Sequence, residues 1–409
     1  MKNKTITIII FLFLLSFAVN DFAKADQVNV HGFISQGYMQ TTRNNLISDS
    51  TDGTFQFNEM GINFGYQPLD KLLIGIQFFA RDLGSVSNDE IQVDYAVADY
   101  RFKDYFGLRG GRMKNPMGVY SEYRDIDMLR TCILLPYSVY DENLRDSQTY
   151  INGVGIYGDI NTEKFGSISY QALVGTNNIE EDSATALFLG YGLVDITSVD
   201  MDTTFSYSLQ YSDPTGHIRT GGTAFFTDLE CKGNALSSLP LVPTGSSVDI
   251  GIYNIEIYTA FCEFTWERLV LTYEFKYSKV RNAQYRSPIF DPTPMLDMPI
   301  DQIGRYVMLT YRLTDFLSVC VYNDVFYPYR NDRKGHNPDF NAIPIQHWSE
   351  KWALAIKMDL NDNWILKLET HYTDGAASTP AVYNDFKSNL LPDLKEHWWL
   401  YAVKLSFNF

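Results

Sequence analysis

Beyond residue 25 this chain has no stretch near the roughly 18 uninterrupted apolar residues that a membrane-spanning helix requires, which excludes a helical membrane protein. Cysteine is scarce. Cys132, Cys231, Cys262 and Cys320 lie far apart with no CxxC, so neither a metal centre nor a disulfide-stapled mini-domain is indicated. Cys262 sits on an apolar strand face and reads as a small hydrophobe; a pairing among the other three stays open. The six histidines form no HExxH or other close ligand pair, and no GxSxG nucleophile motif occurs. Basic charge is in deficit, with 33 Lys and Arg against 49 Asp and Glu, which argues against nucleic acid as a partner. Gly153, Gly155 and Gly158 match GxGxxG, but they lie inside an alternating segment with no helix behind them. They read as glycines that relieve strand curvature. No cofactor and no metal is expected.

What is present begins with an export signal. Lys2 and Lys4 precede an apolar run from Ile6 to Val19, broken only by Thr7 and Ser16, and Ala23-Lys24-Ala25 offers small residues for cleavage. That pattern is a secretory signal peptide over 1–25, leaving a single domain over 26–409. Aromatics make up 15% of the chain, with 28 Tyr and 27 Phe, in a sequence of low mean hydropathy.

The remainder reads as alternating strands bounded by turn residues. The last one is the clearest. Trp399, Tyr401, Val403, Leu405, Phe407 and Phe409 occupy the odd positions, with Lys404, Ser406 and Asn408 between them. Successive strand side chains point to opposite faces, so one face is apolar and one polar. Sixteen such segments are expected, near 28–40, 54–67, 71–82, 89–101, 105–113, 148–159, 165–176, 203–212, 216–228, 249–265, 269–280, 303–313, 316–327, 349–360, 363–373 and 395–409. A soluble sandwich would alternate in the same way; the links discriminate. Those after even-numbered strands are short, as at Trp266-Glu267-Arg268 and Asn361-Asp362, and nearly all the others are longer. Tight turns on one side and long loops on the other belong to an up-and-down transmembrane barrel, in which backbone polar groups tolerate no open edge. Phe102, Tyr105, Phe165, Trp266, Phe316, Trp364 and Phe409 gather at the short-turn end, and Tyr38, Trp352, Tyr372 and Trp399 at the other, as interfacial girdles would.

A C-terminal strand ending on Phe409 resembles the terminal strand of Gram-negative outer-membrane barrels. The longest link, about 114–147, follows the fifth strand, and its place resembles the constriction loop of the sixteen-stranded porins. Gly111-Arg112-Met113-Lys114-Asn115-Pro116-Met117-Gly118 is similar to the G-x-x-K-x-P-x-G of some porin families, with Met117 where an aromatic is more usual. The resemblance implies an outer-membrane homotrimer that passes small hydrophilic solutes or ions by passive diffusion, without enzymatic activity. On this reading Arg81, Arg109 and Arg112 line the pore wall. Lys114, Glu122, Arg124, Asp125, Asp127 and Arg130 stand at the constriction, setting a transverse field across it. Alternatively, Arg124, Arg130, Asp125 and Asp127 pair among themselves to hold the loop's fold. Two other functions stay open: a binding or structural barrel plugged by its own loops, and an outer-membrane hydrolase whose Ser–His pair forms only in space.

Overall fold

The computed structural model describes residues 28–409 apart from 48, 85–86, 88–89, 237–242, 288–295, 337–342, 381–382 and 385–391, with backbone alone at 296–299. The expected signal segment over 1–25 lies outside the described residues. The first half of the wall is β1 (Asn29–Thr41), β2 (Asn58–Leu69), β3 (Leu72–Asp82), β4 (Gln92–Lys103), β5 (Phe106–Lys114), β6 (Tyr150–Thr162) and β7 (Gly166–Thr176). Two extra strands follow, β8 (Asn178–Ile179) and β9 (Val194–Met201), with a helix between them at Ala184–Gly190. The wall resumes with β10 (Thr204–Ser212), β11 (Ile218–Ala235), β12 (Ser247–Trp266), β13 (Leu269–Arg286) and β14 (Leu296–Arg312). It ends with β15 (Leu317–Tyr327), β16 (Ser349–Asp359), β17 (Trp364–Gly375) and β18 (His397–Asn408).

Every wall strand pairs antiparallel with its neighbours, and β1 closes the ring by pairing with both β2 and β18. Phe33 faces Gly61 on one side and Asn408 on the other. The result is a closed sixteen-stranded barrel plus two strands outside the ring. All sixteen expected strands are present. β7 pairs with β10, while β9 lies against the outer end of β11.

Alternation fixes which face each side chain takes. On β18, Leu400 and Lys404 are buried at 0% and 1% exposure, whereas Trp399 and Tyr401 are exposed at 43% and 49%. The outer face carries a wide band of exposed Leu, Ile, Val, Tyr and Phe. Apolar surface of that extent on a closed barrel needs lipid to cover it. The girdle positions Phe102, Tyr105, Phe165, Trp266, Phe316, Trp364 and Phe409 are all exposed at the short-turn end.

The sequence reading ended β11 at Asp228 and β13 at Val280, but both strands run on past those points. The ladders shift register between Thr227 and Leu229 and between Val280 and Ala283. On β11 buried positions alternate unbroken from Thr223 to Ala235, and the sequence pattern breaks off because the apolar residues change from the outer face (Ala224, Phe226) to the inner one (Leu229, Cys231). On β13 the shift breaks the period of two, since Ala283 and Gln284 are both buried beyond Val280. β9 was missed for a similar reason, since its pairing with β11 slips between Lys232 and Gly233. The helix at Ala184–Gly190 is too short for a helical period. Ser183 caps it by accepting from the Ala186 N–H, and it stops where Tyr191 takes a φ of 52°.

A lumen filled by the third loop

Residues 115–149 leave β5, enter the barrel and return to β6. The base is closed by backbone: Asn115 N donates to Thr149 O at 2.9 Å. The Asn115 side chain donates to Gln148 O at 2.7 Å and accepts from Ser206 Oγ on β10 at 2.6 Å. From there the loop folds through two 3-10 turns, Ser121–Tyr123 and Asp127–Leu129, and a short helix at Arg145–Gln148. No strand ladder serves its backbone, so a buried loop of this kind needs partners supplied by the wall.

The wall supplies them from charged inward positions. Glu274 on β13 accepts from Val119 N at 3.1 Å, from Tyr140 Oη at 2.7 Å and from Tyr306 Oη at 2.8 Å. Lys276 donates to Val139 O at 3.1 Å, and Asp324 accepts from Ser138 N at 3.2 Å. Glu369 accepts from Ile133 N and Leu134 N. Lys357 reaches Met128 O at 2.9 Å, and Lys367 reaches Asp127 O at 2.5 Å. Bonds to charged groups are the stronger kind, roughly 1.5–3 kcal/mol each.

Three ionic knots complete the docking. Asp127 lies 3.0 Å from Lys367 and 3.5 Å from Lys404, accepts from Ser406 Oγ at 2.7 Å, and has Arg130 at 3.7 Å. Lys404 also pairs with Glu59 across the β18–β1–β2 junction. Asp125 is held between Lys114 and Arg145, and Lys114 also pairs with Asp94 at 2.5 Å. Glu142 joins Arg81 and Arg124, each at 2.7 Å. Burial by itself would raise the Asp127 carboxyl, but Lys367, Lys404 and Arg130 outweigh it and hold it well below the usual carboxylate range. Asp125 follows the same balance, with Arg145 and Lys114 overcoming burial.

The structure therefore divides the nine residues singled out in the sequence. Arg81, Lys114, Arg124, Asp125, Asp127 and Arg130 sit in knots that fix the loop to itself and to the wall. Arg109, Arg112 and Glu122 remain partly or fully exposed. Arg109 pairs with Asp99 on the neighbouring strand at 2.9 Å, and its guanidinium lies 4.4 Å from the Tyr157 ring centre. With the Gln171 amide turned to suit its neighbours, Gln171 accepts from Arg109 at 2.7 Å and donates to Glu122 at 3.3 Å, linking wall to loop. Arg112 stacks 3.4 Å from the Tyr150 ring centre and borders a cavity of about 210 Å³, which Arg81, Asp94, Arg145 and Asp146 also line. Gly111 takes a φ of +119°, yet the β4–β5 and β5–β6 ladders run past it without a shift; the irregularity lies across β3–β4, beside Asp94.

Glu274, Lys276, Asp324, Lys357, Lys367, Glu369 and Lys404 were not singled out as site residues. Their charges on one face of each strand were visible in the sequence, but nothing there showed that a loop would meet them. A second segment packs on the third loop at the same end of the barrel. The helix at Ala184–Gly190 rests on it through Ala184 N to Asp146 at 3.2 Å and Thr185 Oγ1 to Asn143 O at 3.2 Å. Ala184, Ile47, Leu83, Ile133 and Trp398 join in one buried apolar cluster.

One wall glycine is needed for this fit. A Cβ on Gly304 of β14 would lie 2.2 Å from Ser138 O of the loop backbone. Gly304→Val should cost about 1–3 kcal/mol and lift the loop around Ser138. Limited trypsin digestion of the refolded variant should then cut inside 115–149, where wild type resists.

No protein-family model matches the chain. A segment of 91 residues is 34% identical to an uncharacterized protein of Aquifex aeolicus, but the match spans 22% of this chain and 19% of that protein's length. Among solved structures, the anion-selective porin of Comamonas acidovorans is similar at 10% identity, covering 94% of this chain and 99% of that one with a TM-score of 0.54. Salmonella typhi OmpF is similar at 12% identity, 94% and 98% coverage and a TM-score of 0.54. The outer-membrane OmpT of Vibrio cholerae is similar at 11% identity, 95% and 99% coverage and the same TM-score. At these identities the likeness is one of fold, and the chain has the fold of the outer-membrane porins, a closed sixteen-stranded antiparallel barrel.

Proposed function

We propose that this protein is an outer-membrane porin-type channel through which small hydrophilic solutes or ions diffuse passively, past a constriction made by the third external loop. The observation that carries this reading is residues 115–149, folded into the lumen and anchored to both sides of the barrel. On this reading the chain is exported through a cleaved signal peptide, sits in lipid as a homotrimer and catalyses no reaction. The half-exposed Arg109, Arg112 and Glu122 border the remaining polar route, while the buried knots hold the loop still. A loop packed this tightly leaves only a narrow path, so each open unit should conduct weakly for a barrel of this width.

A second reading is favoured by one observation: the buried apolar cluster in which Ile47, Leu83, Ala184 and Trp398 pack with Ile133 of the third loop. It describes a barrel plugged at rest, built to bind or to brace rather than to conduct.

Single-channel recording of the refolded mature protein in a planar bilayer under a salt gradient separates the two. Stepwise insertion of small, stable conducting units supports the channel. Folded protein, verified by heat-modifiable gel mobility, that never conducts supports the plug. In the channel case Arg112→Gln should move the reversal potential toward cation preference by several millivolts. An unchanged potential would take Arg112 out of the conduction route.

A further inference from the structure

All four cysteines are free thiols in this structure, and they fall into different environments. Cys262 is exposed on the outer face, and Cys231 is buried with the apolar cluster between β9, β11 and β12. Cys132, on the third loop, and Cys320, on β15, are buried at 1% and 0% exposure in a single cluster with Tyr322, Met308, Ala353 and Ala355. The Cys132 thiol is also an electrostatic neighbour of Cys320.

The loop segment that carries Cys132 is aimed at this wall from both sides. Lys367 donates to the Cys132 carbonyl at 3.3 Å, Glu369 takes the next amide, and Tyr322 Oη donates to Leu134 O at 3.2 Å. Tyr322 lies two residues from Cys320 on the same face of β15, and Cys320 faces Ala355 across β16. Small Ala353 and Ala355 leave that part of the wall shallow, so the loop can approach it closely.

We propose that Cys132 and Cys320 form a disulfide that ties the third loop to β15, made in the oxidising compartment that the proposed outer-membrane function implies. The oxidant is a disulfide-bearing partner of the thiol–disulfide exchange class. One cysteine thiolate attacks a sulfur of that partner, forming a mixed disulfide and releasing one thiol. The second cysteine thiolate then attacks the mixed disulfide at the protein's sulfur and releases the other thiol. Two electrons pass to the partner, whose two sulfurs leave protonated. In the finished barrel the reduced Cys132 thiol is pushed up to about 12, mainly by burial and then by the Glu369 carboxylate, so it holds almost no thiolate. The bond therefore forms before the loop seats, and the finished barrel shields it from reductant.

The test is mass spectrometry on full-length mature protein refolded with oxidised and reduced glutathione, denatured, and alkylated without reduction. The expected result is a cross-linked peptide pair containing Cys132 and Cys320, two hydrogens lighter than the free peptides, with Cys231 and Cys262 alkylated. Dithiothreitol should open the pair in denaturant and leave it intact in the folded barrel. Alkylation of both Cys132 and Cys320 in unreduced wild-type protein overturns the proposal. So does a cross-link that joins either of them to Cys231 or Cys262. Heat-modifiable mobility of the same sample reports barrel formation separately, so failure of the disulfide is distinguishable from failure of the membrane-barrel reading.

Discussion

Excising residues 118–146 and joining Met117 to Ser147 through a short Gly-Ser linker is expected to raise single-channel conductance several-fold. The barrel should still fold, because its closure rests on ladders that do not include the loop. The ends of the cut are compatible with a turn, since Asn115 N already donates to Thr149 O and holds the loop base shut. The wall residues Lys367, Lys404, Glu369 and Glu274 lose their loop partners, yet they are not stranded. Water fills the vacated lumen and hydrates them, and Lys404 keeps Glu59. Removing the loop therefore costs little of the barrel's own stability while widening the route at its narrowest level. An unchanged conductance, with heat-modifiable mobility retained, would show that the third loop does not limit passage. The limiting layer would then be the outer cluster of Ile47, Leu83 and Trp398.

The elements that were legible in the sequence are those whose information is local. Alternation and turn residues place all sixteen wall strands, because a strand needs only its own period and its own ends. β13 and β9 lose that period at a register shift, whereas β11 keeps it and only moves its apolar residues from the outer to the inner face beyond Asp228. The third loop announced itself by length and position. Its partners did not, because Asp127 meets Lys404 from almost the far end of the chain. A charge on the polar face of a strand looks the same in sequence whether it meets water or a loop carboxylate. For Arg124, Asp125, Asp127 and Arg130 the choice lay between a field across a pore and a structural pairing. The geometry puts all four in ion pairs, but of the four only Asp127 and Arg130 pair with each other; Arg124 pairs with Glu142, and Asp125 and Asp127 also bind the wall. Arg109, expected to line the pore wall, is linked to Glu122 of the loop through Gln171.

Asp127→Asn should have the opposite character from excision, damaging stability because the loop stays in place. Asp127 is 1% exposed, and it is the carboxylate that Lys367 pairs with at 3.0 Å. The amide keeps the shape but withdraws the charge, leaving Lys367 buried with carbonyl partners alone. Breaking one side of a buried pair costs about 3–5 kcal/mol, because the remaining charge stays desolvated. The expected readout is a lower urea midpoint for the refolded protein in detergent, with trypsin gaining access after Arg130. Adding Lys367→Met removes the stranded cation, so the double variant should recover more than half of the loss. A single-variant cost below about 1 kcal/mol would mean that the knot does not hold the loop. The same carboxylate sets a pH dependence. Its folded value lies below its unfolded value, so its contribution is fully present above the unfolded pKa of about 3.9 and is lost as pH falls through the lower folded one. The Asp127 contribution to protease resistance should therefore be constant from neutral pH down to about 4. The loop should loosen only under stronger acid. In Asp127→Asn the Asp127 share of this dependence disappears, while Asp125, held down in the same way, keeps its own.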